Sequence, residues 1–303
     1  MSFFPIVLTC DDKYFKYASV VITSIIKNRN KNYQYEINVV SDYISSENQE
    51  KTIRQAKNIK NFSIKFIELK NIDKSRFFLN SYMSASTYYR FYIPELFKDY
   101  ERILYLDCDL IVDQDISELA TMDFYENGEE KLALVCKDPY IMYKLSDEGK
   151  DEDLNINYFK NILGMPNPYE YFNAGVMVYN LRKINELHLS EKLFDALDKI
   201  KKPILQDQDI LNAVFSKNGG GKFISNTYND VGRKHLSKIR FIKKKIKQFI
   251  GLKDKTPYHI YHYVGGNKPW KFKRLNYRLF YFYAMSSPFY REILKENNTK
   301  FWF

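Results

Sequence analysis

Through the N-terminal two-thirds of the chain, short apolar runs alternate with stretches in which apolar residues recur every three or four positions. "FPIVLTC" reads as a first strand. It is followed by "YFKYASVVITSIIKNR", where Tyr14, Ala18, Val21, Ile22, Ile25 and Ile26 fall on one helical face. "YEINVVS" then predicts a strand, "SSENQEKTIRQA" a helix and "FSIKFIEL" a third strand. "TYYRFYIPELF" has the pattern of a helix leading into the strand "RILYL", and "KLALVC" and "AGVMVYNL" are further strands. Strands alternating with helices predict an α/β fold, with a mostly parallel central sheet flanked by helices. Ligands of such sheets bind beyond the carboxyl ends of the strands.

Two acidic pairs stand at such ends. Asp11-Asp12 closes the first strand, and Asp107-Cys108-Asp109 interrupts the apolar run "RILYLDCDLIV". An unpaired carboxylate beside buried surface is costly. Two of them one residue apart, where a strand gives way to a turn, suit a hard divalent cation with oxygen ligands. Far along the chain, "HIYHYVGGNKPW" offers His262, Gly265, Gly266 and Lys268. One imidazole with two carboxylates suits Mn²⁺ better than Mg²⁺. Glycines let backbone approach a phosphate, and a lysine supplies a point charge for it. In "LQDQDILNAVF", acidic residues can serve the first turn of a helix. Capping does not account for two glutamines, Gln206 and Gln208, as well.

Composition sharpens this picture in three places. With 45% hydrophobic residues in 303, the chain can fill a sizeable core and is not disordered. Three widely spaced cysteines, with no CxxC, argue against a disulfide framework or a zinc site and for a reducing compartment. The short apolar N-terminus lacks preceding basic residues, so a buried strand is expected there rather than a signal peptide. No run approaches the length needed to cross a bilayer, and a cytoplasmic protein is expected.

The net charge of +10 is unevenly placed: residues 231–303 hold 18 Lys+Arg against 3 Asp+Glu, and the rest of the chain is net acidic. "RKHLSKIRFIKKKIKQFIGLKDK" puts Leu236, Ile239, Ile242, Ile246, Phe249 and Ile250 at helical spacing among lysines, the pattern of a helix lying on anionic lipid. Beyond it, Trp270, Tyr277, Tyr281 and Tyr283 interleave with Lys271, Lys273, Arg274 and Arg278, which suits a headgroup boundary. Peripheral association with the inner face of the cell membrane is therefore expected, and no nucleic-acid partner.

Taken together, "IVLTCDDKY", "SASTYYRFYIPEL", "ILYLDCDLIV", "CKD", "YFNAGVMVYNLRK", "LQDQDILN" and "HYVGGNKPW" resemble, in order, glycosyltransferase family 8. The likeness is greatest to the bacterial lipopolysaccharide α-galactosyl- and α-glucosyltransferases. It implies a GT-A catalytic domain over 1–265, with a basic insertion at 233–255, and a basic aromatic extension over 266–303. It also implies a UDP-hexose donor, a saccharide or glycolipid acceptor, Mn²⁺ (or Mg²⁺) and retention of anomeric configuration. By position, Asp107, Asp109 and His262 would hold the metal. Thr9, Asp11 and Lys13 would meet uridine, although that third place often carries asparagine. Gly265 and Lys268 would meet the diphosphate. Arg90, Asp138, Asn173 and Asp207 would hold the sugar, with Gln208 under its anomeric carbon to stabilise positive charge in a front-face attack, and Asp207 the carboxylate to weigh for double displacement. Two rivals are weighed against this. In a haloacid-dehalogenase-like phosphatase, Asp107 would be the nucleophile and Asp109 the acid/base. A catalytically dead glycan-binding protein would have no need of the intact acidic pair.

Overall fold

The computed structural model describes residues 2–80, 84–149, 151–231, 258–266, 268–271 and 277–296. The expected alternation is present. Strand β1 (Ser2–Thr9) leads into helix α1 (Phe15–Asn28), β2 (Tyr33–Ser41), α2 (Ser46–Ala56) and β3 (Phe62–Glu68). Each link is fixed by local chemistry. Asp11 Oδ1 accepts from Tyr14 N at 2.8 Å and opens α1. Asp12 Oδ1 accepts from Ser45 N and Asn48 Nδ2 and so ties the end of β1 to the start of α2. The stretch 85–96 differs from expectation: it is a 3-10 helix (Ala85–Tyr92) that becomes α-helical only at α3 (Ile93–Leu96).

Strands β4 (Arg102–Leu106) and β5 (Leu110–Val112) flank the acidic pair. A small hairpin, β6 (Tyr125–Glu126) and β7 (Glu129–Glu130), precedes β8 (Ala133–Lys137). Helix α4 (Pro139–Lys144), strand β9 (Phe172–Asn180) and helices α5 (Leu181–Glu186), α6 (Leu189–Lys199) and α7 (Asp207–Phe215) follow. Strands β10 (Gly221–Phe223) and β11 (Ile260–His262) and helices α8 (Tyr277–Ala284) and α9 (Tyr290–Glu296) complete the described elements.

The central sheet has seven strands in the order β10-β8-β9-β4-β1-β2-β3. All its neighbours are parallel except at β9, which runs antiparallel to both β4 and β8. All nine residues of β9 are buried, and a strand covered on both faces reads as continuous apolar sequence whichever way it runs. A separate two-stranded sheet pairs β5 with β11, antiparallel, bringing His262 opposite Leu110.

Alternate residues of β1 enter two large buried cores, Ile6 and Leu8 one and Val7 the other, and the C-terminal elements belong to the core that holds Ile6 and Leu8. Trp270 is 2% exposed and stacks on Tyr17 with ring centroids 3.9 Å apart. Tyr281 and Tyr283 are buried, and Tyr283 donates to Asp113 Oδ1 at 2.6 Å. The expected headgroup-facing role of Trp270, Tyr281 and Tyr283 is thereby corrected: these rings are packed inside, where burying them stabilises the fold. The amphipathic stretch 233–255 lies outside the described residues, as do Lys273 and Arg274. Among the described residues no helix is long and apolar enough to cross a membrane.

Candidate active site

The parallel register that pairs Ile6 with Leu104 and Val7 with Tyr105 ends both strands on the same edge of the sheet, which is where Asp11 and the Asp107-Cys108-Asp109 turn follow them. His262 reaches them from β11. Its Nε2 stands 3.0 Å from Asp109 Oδ1 and 3.4 Å from Asp107 Oδ2. Ligand atoms of the three residues lie within 4.8 Å of one another, and among the described residues they form the group that could hold a cation. Two carboxylate oxygens and an imidazole nitrogen converging on half-buried ground fit a divalent ion. Lys268 pairs with Asp109 Oδ2 and donates to Tyr263 O at 2.7 Å, while Gly265 sits at φ +72 with open space around it.

The charges hold one another in place. Burial would push the Asp107 carboxyl up, but Arg90 and the His262 hydrogen bond hold it below its ordinary value, against repulsion from Asp109. Burial would raise Asp109 too; Lys268 and His262 keep it well below the usual range. Burial lowers His262, yet the two carboxylates carry it up to about 9. A cation held at Nε2 would have to take the place of a proton there.

Arg90, 4% exposed, links this cradle to the next one. Its Nη2 donates to Asp107 Oδ1 at 2.8 Å and its Nη1 to Ala174 O at 2.7 Å, and Nε pairs with Asp207 Oδ2 at 2.9 Å. Tyr105, which donates to Asp107 Oδ1 at 2.6 Å, also bonds Thr9 Oγ1 at 3.2 Å. Asp207 starts α7 and takes a hydrogen bond from Thr87; burial raises it to about 6 against the pull of Arg90. Gln208, beside it, is held by three contacts. Its Oε1 accepts from Ala174 N at 3.0 Å, and its Nε2 donates to Asp138 Oδ2 at 3.1 Å and to Tyr171 OH at 3.3 Å. Asp138 uses its other oxygen to cap α4, and Asn173 Nδ2 donates to Asp138 Oδ2 at 3.1 Å. Asp209 belongs to the scaffold: it accepts from Tyr158, Tyr171 and Leu205 N, and with Asp207 it stands in the first turn of α7, where acidic residues were expected, although no side chain caps that helix.

A bulge in β9 makes these meetings possible. Its ladder with β8 breaks between Val135↔Met177 and Cys136↔Asn173, which frees the backbone of 174–176 on that side. Ala174 then serves Gln208 and Arg90, while on the opposite side the pairing with β4 continues, with Gly175 O accepting from Asp107 N at 2.9 Å. Gly175 is one of the residues that sequence reasoning missed. A Cβ there would stand 2.1 Å from His262 Cε1 and 2.7 Å from Asp107 Oδ2. Its signal was a lone glycine inside a strand pattern. Thr87, Tyr105 and Asn229 were also missed, and nothing in their local sequence marks them.

Gln206, in the same motif, has φ +53 and ψ −124 and is wholly buried. With Gln208 N donating to Leu205 O at 3.2 Å, it occupies the first central position of a tight turn that normally demands glycine. Neither polar atom of its side chain has a partner. Of the residues assigned to uridine, Thr9 and Asp11 line the end of β1, and Lys13 is exposed in the turn before α1.

This sheet, with its acidic pair at the switch between β1 and β4, is the GT-A nucleotide-sugar fold, and comparison with known proteins agrees. Residues 5–274 match the glycosyl transferase family 8, and the chain belongs to that family as a glycosyltransferase. It is 29% identical over 269 residues to a lipopolysaccharide 1,2-glucosyltransferase of Escherichia coli, covering 86% of this chain and 71% of that one. Among solved structures, the bifunctional glycosyltransferase WbbM superposes with a TM-score of 0.72 at 26% identity; 98% of this chain is covered, and it spans about half (52%) of that one. The galactosyltransferase LgtC, crystallised with donor and acceptor sugar analogues, shares the fold at a TM-score of 0.69 and 22% identity, covering 97% of this chain and 96% of that one. These likenesses do not favour the phosphatase or the dead-scaffold reading.

Proposed function

We propose that the chain transfers galactose or glucose from a UDP-sugar to a saccharide acceptor of the lipopolysaccharide type, with retention of configuration and with Mn²⁺ held by Asp107, Asp109 and His262. The observation that carries this reading is the convergence of those three ligands within 4.8 Å, with Lys268 alongside. A cation there would act as Lewis acid toward the diphosphate oxygens. Thr9, Asp11 and Lys13 would receive the uridine, and Gly265 and Lys268 the diphosphate. Arg90, Asp138, Asn173 and Asp207 would form the hexose pocket.

The pocket also bears on mechanism. Double displacement needs a free carboxylate under the anomeric carbon, but Asp207 is 2% exposed and tied to Arg90 and Thr87. Gln208 presents an amide whose NH₂ group is engaged by Asp138 and Tyr171, leaving a lone pair of Oε1 to face positive charge on the sugar. Attack from the front face follows. The acceptor oxygen bonds to the anomeric carbon on the side the diphosphate leaves, and the acceptor's proton passes to the departing oxygen. Lys268 stabilises the leaving anion.

Association with an anionic membrane surface rests, within this proposal, on the basic residues of 233–255 and of the extension over 266–303. UDP release measured with UDP-galactose, UDP-glucose and their N-acetyl forms tests the whole reading. One donor should dominate, chelator should abolish turnover, and Asp109→Asn should do the same. Unchanged Mn²⁺-dependent turnover in Asp109→Asn would sink the proposal.

A further inference from the structure

A chain of side-chain hydrogen bonds joins the cation cradle to the hexose pocket, and its orientation is fixed at one end by backbone. Gly175 N–H donates to Asn173 at 3.0 Å, so the atom it meets is the amide oxygen, Oδ1. The other amide atom of Asn173 is then the nitrogen, which donates to Asp138 Oδ2 at 3.1 Å. Asn229 approaches the same Asn173 Oδ1 at 2.9 Å and must do so with its own nitrogen. Its remaining atom, Oδ1, lies 2.9 Å from His262 Nδ1, which therefore carries a hydrogen and donates. The ring's other nitrogen, Nε2, is the one turned to Asp107 and Asp109. One backbone N–H thus determines two amide orientations and keeps a hydrogen on Nδ1 of His262, so that Nε2 is the nitrogen left for a cation.

Asn229 is the pivot of this chain. It is 1% exposed, and the backbone locks it beside β11: Asp230 N donates to Ile260 O at 3.0 Å, and His262 N donates to Asp230 O at 2.9 Å. A ligating histidine needs its second nitrogen held in this way, and loss of such a partner typically costs about 10- to 100-fold in metal affinity. In the other direction, Asn229 helps hold Asn173, which with Gln208 shares Asp138 Oδ2.

We propose that Asn229 is a positioning residue with two separable tasks: it sets Nε2 of His262 toward the cation, and it orients Asn173 and Asp138 toward the donor hexose. The inference rests on the donor and metal reading above and adds to it a residue outside the metal and sugar-binding sets.

Two substitutions part the tasks. Asn229→Ala removes both. Asn229→Asp, nearly isosteric, still accepts from His262 Nδ1 but presents an oxygen to Asn173 Oδ1, where a donor is required. Mn²⁺ affinity is measured by paramagnetic resonance of the free ion. The hexose contribution is read by calorimetry as the ratio of UDP affinity to UDP-galactose or UDP-glucose affinity, and thermal melts check the fold of each variant. Asn229→Ala should lose about 10- to 100-fold in Mn²⁺ affinity and most of the hexose contribution. Asn229→Asp should bind Mn²⁺ like the parent and lose about tenfold of the hexose contribution. Mn²⁺ affinity within twofold of the parent in a folded Asn229→Ala overturns the first task. An intact hexose contribution in Asn229→Asp overturns the second. If the alanine variant does not fold, Asn229→Leu, close in volume and without an acceptor for His262 Nδ1, tests the first task by the same loss of Mn²⁺ affinity, and Asn229→Asp tests the second. A parent protein that binds neither Mn²⁺ nor UDP would refute the site reading itself, which no Asn229 result could do.

Discussion

Adding a single methyl group at Gly175 should disable the site while leaving the fold largely standing. The new Cβ would lie 2.1 Å from His262 Cε1, where ordinary contact begins at 3.4 Å, so the ring must retreat by more than 1 Å. It has nowhere to go. Asn229 holds Nδ1 at 2.9 Å, Asp109 holds Nε2 at 3.0 Å, and the residue is 6% exposed. Asp107 Oδ2, 2.7 Å from the same methyl, is on a carboxylate fixed by Arg90 and Tyr105. A misplacement of about 1 Å in a reacting assembly typically costs about 100-fold in rate, or ~2.7 kcal/mol. Overpacking should add about 1–3 kcal/mol of lost stability. Steady-state kcat/KM for UDP-sugar, a Mn²⁺ titration and urea melts of Gly175→Ala read the three quantities. In a His262→Ala background the stability loss should shrink, because the colliding ring is gone, while activity stays absent. A Gly175→Ala enzyme within threefold of the parent in kcat/KM, with the same Mn²⁺ midpoint, would show that the cradle does not need this close approach.

Other substitutions probe other layers. Gln206→Gly removes a residue from a backbone conformation that glycine adopts freely and deletes an unpartnered buried amide, so the urea midpoint should rise, by about 1–3 kcal/mol in stability; a fall would mean the side chain is packing the turn. Asp207 is raised from an ordinary 3.8 to about 6 by burial, so the folded state holds its proton more tightly than the unfolded chain. Stability from this group is therefore lost as pH rises across that window, and the melting temperature of Asp207→Asn should gain on the parent from about pH 4 to about pH 7. A gap that narrows instead would contradict the burial argument. Trp270→Ala should cost about 3–5 kcal/mol in folding stability with unchanged binding to anionic vesicles; selective loss of vesicle binding would restore the headgroup role that its stacking on Tyr17 excludes.

Local pattern carried much of this molecule and failed where partners are distant. The apolar runs around Asp107 and Asp109 and the alternation of β1 to β4 were legible because period and burial speak through neighbouring residues. His262 and Lys268 were legible as residue types that suit a cation and a phosphate, but not as neighbours of Asp109; that meeting is made by the antiparallel pairing of β5 and β11. The direction of β9 was not legible, since its uniform burial erases the alternation that distinguishes one face from another. Asn229 was invisible because an asparagine in a loop looks alike whether it meets solvent or a histidine 33 positions later. The aromatic tail was misread for a related reason: interleaved rings and cations are compatible with a lipid boundary or with a core edge, and only Tyr17 and Asp113 decide between them.

The packing of α8 and α9 against the first helix has a consequence for how the chain acquires activity. Ser19 bonds Ser287, Asn28 bonds Tyr283, and Lys16 pairs with Glu296, contacts that span most of the sequence. During synthesis the early βα units can emerge and collapse, yet one wall of their core remains bare until the last helices arrive. Asp107 and Asp109 likewise wait for His262 and Lys268, which stand 153 and 159 positions after Asp109. A nascent chain that stops short of β11 thus carries the acidic pair with Arg90 but without His262 and Lys268, and the cradle closes only when residues 262–268 have met residues 107–109.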